Sequence, residues 1–192
     1  RSTYWRVLDD VRSAWQVSSL PVHHRQSSDG VWLLHEDAQQ VSRMSYFSLA
    51  GTNASVHTLT NIPLTSNATL FVTSHEQYAG ALISLSDIRV MQCDVQDASS
   101  CSIVRTVPFP STLRETTTAI AAGLFVADLQ MLYFGADSGL HRLDLQTFEI
   151  DVRVNGINDS VSSLAATNKY RTIFIGTAAK LWMEDYAEET HR

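Results

Sequence analysis

A segment near the end of the chain occurs twice at a fixed distance. The two copies read MLYFGADSGLHRLD at residues 131–144 and TIFIGTAAKLWMED at residues 172–185. Gly135 and Gly176 are 41 positions apart, as are Asp144 and Asp185, so the copies align without a gap. A period of about 40 residues in a unit made of strands is typical of a β-propeller blade. The repeat therefore constrains the fold more closely than any other feature of the sequence.

Each copy is predicted to form a β-hairpin. Residues 132–134 and 173–175 are continuous apolar runs of β-branched and aromatic side chains, as expected for an inner strand covered on both faces. A polar connection follows, in which Gly139 is able to adopt a positive φ, whereas the second copy has Lys180 at that position. The aspartate that closes each copy is interpreted as a turn device that accepts backbone N–H bonds, and not as a catalytic acid.

Weaker copies of the same unit occur upstream. They are residues 30–34 with 41–47, and residues 69–73 with 80–85. With the two clear copies they predict an all-β fold, a β-propeller or partial propeller of about four blades with antiparallel strands. The interval between the second and third units is longer than the others, and we interpret the excess as an insertion that holds both cysteines.

Length bears on whether such a propeller is complete. Closed propellers have about four to eight blades, and isolated blades cannot bury their own faces. We therefore predict a single β-propeller over residues 1–192 as a fragment of a larger propeller or ectodomain. The expected partners are the remaining blades of the same protein or another protein.

Three Asn-x-Ser/Thr sequons begin at Asn53, Asn67 and Asn158, each in a predicted loop or at a strand edge. Such loops are accessible to glycosylation, although Asn, Ser and Thr also collect in loops for conformational reasons. The sequence predicts glycans on these three asparagines.

Cys93 and Cys101 are the two cysteines of the chain, and they bracket a polar stretch between two apolar runs. Two cysteines placed across a turn are typical of one local disulfide, while two unrelated thiols are the alternative. Structural disulfides persist in oxidising compartments. With the sequons, the pair predicts an extracellular or secretory-lumen location. No signal peptide and no long apolar stretch occurs in these residues, so no direct membrane insertion is expected within this segment.

Charge argues against one class of partner. The chain has 14 Lys and Arg against 20 Asp and Glu, a net charge of −6, with no basic cluster. Phosphate backbones are bound by concentrated positive charge, so nucleic acid is not an expected partner.

No motif for catalysis, cofactor or metal binding is recognised, and we assign no catalytic, cofactor or metal residue. If the propeller is an enzyme, its residues are single positions near one channel mouth, for which the candidates are His75, Glu76, Asp137 and His141. His35 is expected in an exposed turn. Trp32 and Trp182 stand at strand positions and are expected to be core residues.

Residues 132–144 resemble the blade motif of two-component-regulator-type propellers, in which an aromatic-bearing strand leads to Gly-Thr, a Gly-Leu turn and a closing aspartate. Gly176 and Thr177 supply the Gly-Thr that the first copy lacks. The likeness covers about 60 residues at the level of the single blade, and it is shared loosely with WD-type and other propellers. It implies the fold and says little about activity. In bacteria such propellers are sensor ectodomains, whereas the sequons and cysteine pair favour a eukaryotic secreted protein or receptor.

The sequence thus predicts an extracellular or lumenal recognition module that binds a protein or small ligand through its loops, as part of a larger secreted or receptor protein. The loop around Cys93 and Cys101 is the preferred contact, because a disulfide reduces the entropy lost when an exposed loop is ordered. A propeller-fold secreted hydrolase or lyase is the first alternative, and the sensor ectodomain of a signalling receptor is the second.

Overall fold

The computed structural model describes residues 11–19, 30–48, 55–60, 62, 64, 69–73, 80–94, 97–167 and 171–185. In these residues the chain forms four antiparallel sheets, and the strands of each sheet follow one another in sequence order. An antiparallel four-stranded sheet is the unit of a propeller blade. The predicted fold class, all-β with about four antiparallel sheets of blade type, is therefore confirmed.

Each sheet is built from strands that are consecutive in the chain. The first sheet contains β1 (Val11–Ser19), β2 (Gly30–Asp37), β3 (Ser42–Ser48) and β4 (Ser55–Leu59). The second contains β5 (Leu70–Thr73), β6 (Gly80–Ile83), β7 (Asp87–Asp94) and β8 (Asp97–Pro108). The third contains β9 (Ile120–Val126), β10 (Met131–Ala136), β11 (Gly139–Asp144) and β12 (Ile150–Val152). The fourth contains β13 (Val161–Thr167), β14 (Thr172–Thr177) and β15 (Leu181–Asp185).

The predicted hairpins correspond to the pairs β2–β3, β5–β6, β10–β11 and β14–β15. The predicted insertion is wrong, because the residues around Cys93 and Cys101 form β7 and β8, two regular strands of the second sheet. The long interval arises because β7 and β8 are long strands and because a short helix, α1 (Ser111–Thr116), follows them. This helix was not expected. It buries Leu113, and Pro110 precedes its first turn.

Two compact units divide the chain, one comprising residues up to Leu82 with Arg89–Arg105, the other Ile83–Ile88 with Thr106 onward. The core of the first unit contains the buried side chains of both of its sheets, among them Trp32, Leu34, Met44, Tyr46, Phe71, Leu82, Met91 and Cys101. The core of the second unit joins the third and fourth sheets through Tyr133, Leu140, Val154, Ile157, Val161, Ile173 and Ile175. That residues 1–192 form a single propeller stays a prediction.

The turn chemistry of the repeat is as expected in the first copy. Gly139 has a φ of 124°, a conformation that strains any residue with a Cβ. Asp144 closes β11 and accepts hydrogen bonds from the backbone N–H groups of Gln146 and Thr147, at 2.7 and 3.0 Å. The interpretation of this aspartate as a turn device is confirmed.

Candidate functional site

The turn between β10 and β11 brings a serine and a histidine together inside the second unit. Ser138 Oγ lies 2.9 Å from His141 Nε2, and 2.6 Å from the hydroxyl of Thr117, which follows α1. His141 is fully buried, with its ring 5.2 Å from that of Phe134. Phe134 in turn stacks on Phe109, at 5.5 Å between ring centroids. The histidine is therefore held between an aromatic stack and a chain of two hydroxyl groups.

The hydrogen bonds fix which nitrogen of His141 carries the proton. The backbone N–H of Arg153 donates to His141 Nδ1 at 3.2 Å, so Nδ1 must accept and the neutral ring is protonated on Nε2. His141 therefore donates to Ser138 Oγ, and Ser138 shares a second hydrogen bond with the hydroxyl of Thr117, in which either oxygen can be the donor. A general base needs a free lone pair directed at the serine proton. In His141 that lone pair is directed at Arg153 instead.

The electrostatics agree with this assignment. Burial lowers the pKa of His141 to about 4, and the Arg153 guanidinium acts in the same direction, while Asp137 and Asp151 oppose them. At neutral pH the ring is uncharged. A catalytic triad would instead place a carboxylate on Nδ1 to stabilise the imidazolium that forms during proton transfer. The Ser138–His141 hydrogen bond is thus a structural contact between two uncharged side chains of the turn.

Asp137, the other candidate acid of this turn, binds the backbone that precedes β9. Its carboxylate accepts hydrogen bonds from the N–H groups of Thr118 and Ala119, at 3.0 to 3.2 Å, and from the Thr118 hydroxyl. Burial alone would raise the pKa of Asp137, but these hydrogen bonds together outweigh it and lower the pKa below its ordinary value. The carboxylate therefore stays ionised and joins the turn to the strand beside it.

A similar hydroxyl chain lies in the first unit. His35 Nε2 lies 2.9 Å from Ser45 Oγ, which lies 2.9 Å from Thr58 Oγ1. The expectation of an exposed turn was wrong for His35. It lies within β2 and is buried, because β3 and β4 extend the sheet beside it. Burial lowers the pKa of His35, so this ring also favours the neutral form.

The predicted disulfide is present between Cys93 and Cys101. Cys101 is fully buried in the core of the first unit, and Cys93 packs against that core. The disulfide therefore joins β7 and β8 at the core of the first unit, which the polar flanks of the cysteines had not indicated. A disulfide of this kind is typical of an oxidising compartment.

The other positions singled out in the sequence are the three sequons, His75 with Glu76, and the two tryptophans, and only some of them lie in the residues that the structure describes. Asn158 is exposed in the connection between β12 and β13. Asn53, Asn67, His75 and Glu76 lie outside the described residues. Of the two tryptophans expected in the core, Trp32 is 1% exposed, as predicted, but Trp182 is 38% exposed, so that prediction was wrong. No helix within the described part of the chain is long and apolar enough to span a bilayer.

Potential metal ligands are scattered across the described ranges. Nowhere in them do three or more His, Cys, Asp or Glu side chains come together in a group that could hold a metal ion.

No family model matches the sequence, and no curated protein matches it either. Two solved structures show a likeness. The WD40 domain of SCAP from fission yeast is 12% identical with a TM-score of 0.46, over 83% of this chain and 40% of that chain. A 2S albumin seed protein from Dolichos is 11% identical with a TM-score of 0.35, over 82% of this chain and 83% of that chain. Both scores are below 0.5, so the fold assignment rests on the strand order of the four sheets.

Proposed function

We propose that this chain is part of an extracellular or lumenal β-propeller recognition module, which binds a protein or small ligand through its loops within a larger secreted or receptor protein. The observation that carries the proposal is the Cys93–Cys101 disulfide at the β7–β8 hairpin. A covalent bond between adjacent strands is retained where thiols are oxidised, which supports the compartment.

The placement of this disulfide also supports a contact at the hairpin. Because Cys101 is buried while Gln92 and Ser102 beside the two cysteines are exposed, the bond anchors an accessible segment to a rigid core. Ordering an exposed segment on binding costs conformational entropy, and a cross-link to the core reduces that cost. The hairpin is therefore suited to presenting side chains to a partner.

Binding is favoured over catalysis by the state of His141. In a propeller-fold secreted hydrolase or lyase, Ser138 would be the nucleophile and His141 the base. For that role His141 would need its free lone pair on Nε2, the nitrogen that faces Ser138. The hydrogen bond from Arg153 places the proton there instead. The sensor-ectodomain alternative shares the binding function and differs in the protein to which the module belongs.

The compartment is tested by expressing the chain behind a secretory leader in eukaryotic cells. Mass spectrometry of its peptides is expected to find N-glycans on Asn53, Asn67 and Asn158 and a disulfide-linked peptide pair containing Cys93 and Cys101. An Asn158→Gln variant should lose one glycan and keep the others. Unmodified asparagines in secreted material would overturn the glycan assignments, and free thiols would overturn the compartment.

The contact is tested with a photo-reactive amino acid at Gln92 and, as a matched control, at Thr147, which is exposed in the second unit. Cross-linking on the surface of the producing cells is expected at Gln92 and absent at Thr147. The same products at both positions would show that the hairpin has no special role.

A further inference from the structure

One face of the fourth sheet is apolar and open to solvent. Strand register places Ala165, Phe174 and Met183 in one row and Ser163, Gly176 and Leu181 in the next, all on the same face. Leu181 is 70% exposed and Met183 71% exposed. We call this surface, with its centre at Phe174, Leu181 and Met183, the open face. The opposite face presents Ile173 and Ile175, which are buried against the third sheet.

The sequence repeat gives a direct comparison for the open face. Leu140 and Tyr133 of the third sheet stand 41 residues before Leu181 and Phe174 and are fully buried. They share a hydrophobic core with Val161, Ile173 and Ile175 of the fourth sheet. Both positions are therefore covered by a neighbouring sheet in the first copy, whereas in the second copy Leu181 is exposed and Phe174 is half-buried.

The glycines of the repeat provide an independent observation. A Cβ on Gly135 would lie 2.8 Å from Val161 Cβ and 3.0 Å from the Val161 carbonyl oxygen, so glycine is needed for β13 to approach β10. Gly176 occupies the equivalent position on the open face. The three atoms nearest to a Cβ placed on Gly176 all belong to Ser163 of the same sheet. The second copy thus keeps the glycine that admits a neighbouring sheet, although no such sheet lies over it in the described residues.

We propose that the open face receives a further antiparallel sheet, packed as the fourth sheet packs on the third. Its first strand places a β-branched residue over Gly176, as Val161 lies over Gly135, and its inner strand covers Phe174 and Leu181 with residues that correspond to Ile173 and Ile175. The proposal rests on the proposed function in one respect, since the further sheet is assigned to the larger protein, as another repeat of the same polypeptide that continues the 41-residue pattern. Met183 replaces Arg142 of the first copy, which makes the open face more apolar than its covered counterpart.

Methionine oxidation tests whether the open face is covered. Hydrogen peroxide is applied to the 192-residue chain and to the intact protein purified from cells that make it, and sulfoxide formation is followed by peptide mass spectrometry. Met183 is expected to react at least about ten-fold more slowly in the intact protein, because covered thioethers are less accessible to the oxidant. Met44 and Met91, both fully buried, serve as internal references. Equal rates at Met183 would overturn the proposal.

The same measurement separates a sheet of the same polypeptide from a sheet of a partner chain. Protection of Met183 is expected to persist after every co-purifying chain is removed; loss of the protection would assign the sheet to a partner chain and overturn the proposal. This result is independent of the glycans on Asn158 and of the contact at Gln92, so the proposed function and the covering sheet can fail separately.

A second experiment tests the kind of occupant. One further repeat, a second copy of residues 145–185, is appended directly after Asp185 and is expected to protect Met183. Two matched variants of this extended chain are compared, the single variant Ser163→Ala and the double variant Ser163→Ala with Gly176→Ala. The Ser163→Ala change removes the hydroxyl that a Cβ on residue 176 would meet within the sheet. The added Cβ of the double variant therefore obstructs only an incoming sheet. Protection is expected in the first and not in the second. A folded added repeat that leaves Met183 reactive, or equal protection in both variants, would overturn the proposal.

Discussion

The backbone N–H of Arg153 donates to His141 Nδ1, and this one bond decides the role of the histidine. Arg153 has a φ of 61°, and nearby Asn155 has a φ of 54°. Left-handed conformations of this kind cost free energy and persist only when surrounding contacts hold them. The segment after β12 is therefore shaped so that a main-chain donor meets the buried ring.

Stability is expected to fall as the pH is lowered because of His141. The folded chain has a pKa of about 4 at this ring and the unfolded chain about 6.5, so the unfolded chain binds a proton that the folded chain does not. The contribution of the neutral His141 ring to the free energy of unfolding is complete above pH 6.5. It is lost as the pH falls toward 4, by up to roughly 3 kcal/mol. Urea unfolding at about pH 7 and about pH 4.5, on either side of the unfolded pKa, measures it. In the variant His141→Gln the slope over this range should be shallower, and an unchanged slope would contradict the prediction.

Ser138 is expected to behave as a structural residue. Ser138→Ala should cost about 1 to 3 kcal/mol, because Nε2 of His141 and the hydroxyl of Thr117 lose their shared partner inside the protein. Ser102→Ala, at an exposed position, is the control and should change stability little. A fluorophosphonate probe should leave Ser138 unlabelled in the intact chain. A covalent adduct on Ser138 would show that the serine is activated and would favour the hydrolase alternative.

Substitution by alanine is expected to lower stability by different amounts at two glycines that have a positive φ. Gly139, at 124°, lies against the carbonyl oxygen of Ile157, where a Cβ would collide with backbone; Gly156, at 67°, has no atom within 4 Å of such a Cβ. Gly139→Ala should cost about 3 kcal/mol or more, and Gly156→Ala about 1 kcal/mol. Chemical denaturation of both variants measures the difference, and equal costs would show that the Ile157 contact does not matter.

Loss of the disulfide should destabilise the first unit. Joining residues eight positions apart restricts the unfolded chain by about 2 to 3 kcal/mol in the loop-entropy model. The double variant Cys93→Ala with Cys101→Ala should lose at least that much free energy of unfolding, seen as a lower urea midpoint, since Cys101 also fills space in the core. Wild-type chain held reduced separates the covalent contribution from the packing contribution. Identical midpoints for oxidised and reduced chain would contradict the prediction.

Strands and turns could be predicted from the sequence because their signals are local. The apolar runs of β10 and β14, the glycine at 139 and the closing Asp144 act within a few residues of themselves. The Ser138–His141 pair carried no such signal, because the proton position depends on a donor twelve residues further along the chain.

Burial was harder to predict where it depends on neighbouring strands. In the sequence His35 follows the apolar run of residues 31–34 and resembles a turn residue, yet Ser45 and Thr58 come beside it when β3 and β4 form. Trp182 was expected in the core on the basis of its strand position, but its exposure depends on what packs beside β15. The polar residues around Cys93 and Cys101 likewise resembled a loop, although they belong to paired strands.

Throughout the described residues, each strand is hydrogen-bonded to the strand before or after it in the chain. Contacts that are close in sequence form early and cost little loop-closure entropy. Each sheet can therefore assemble as soon as its last strand has left the ribosome, before the next sheet has been synthesised. The Cys93–Cys101 bond, which spans eight positions, can close at the same stage, so the strands of the described residues can pair during synthesis without waiting for a partner that is distant in the sequence.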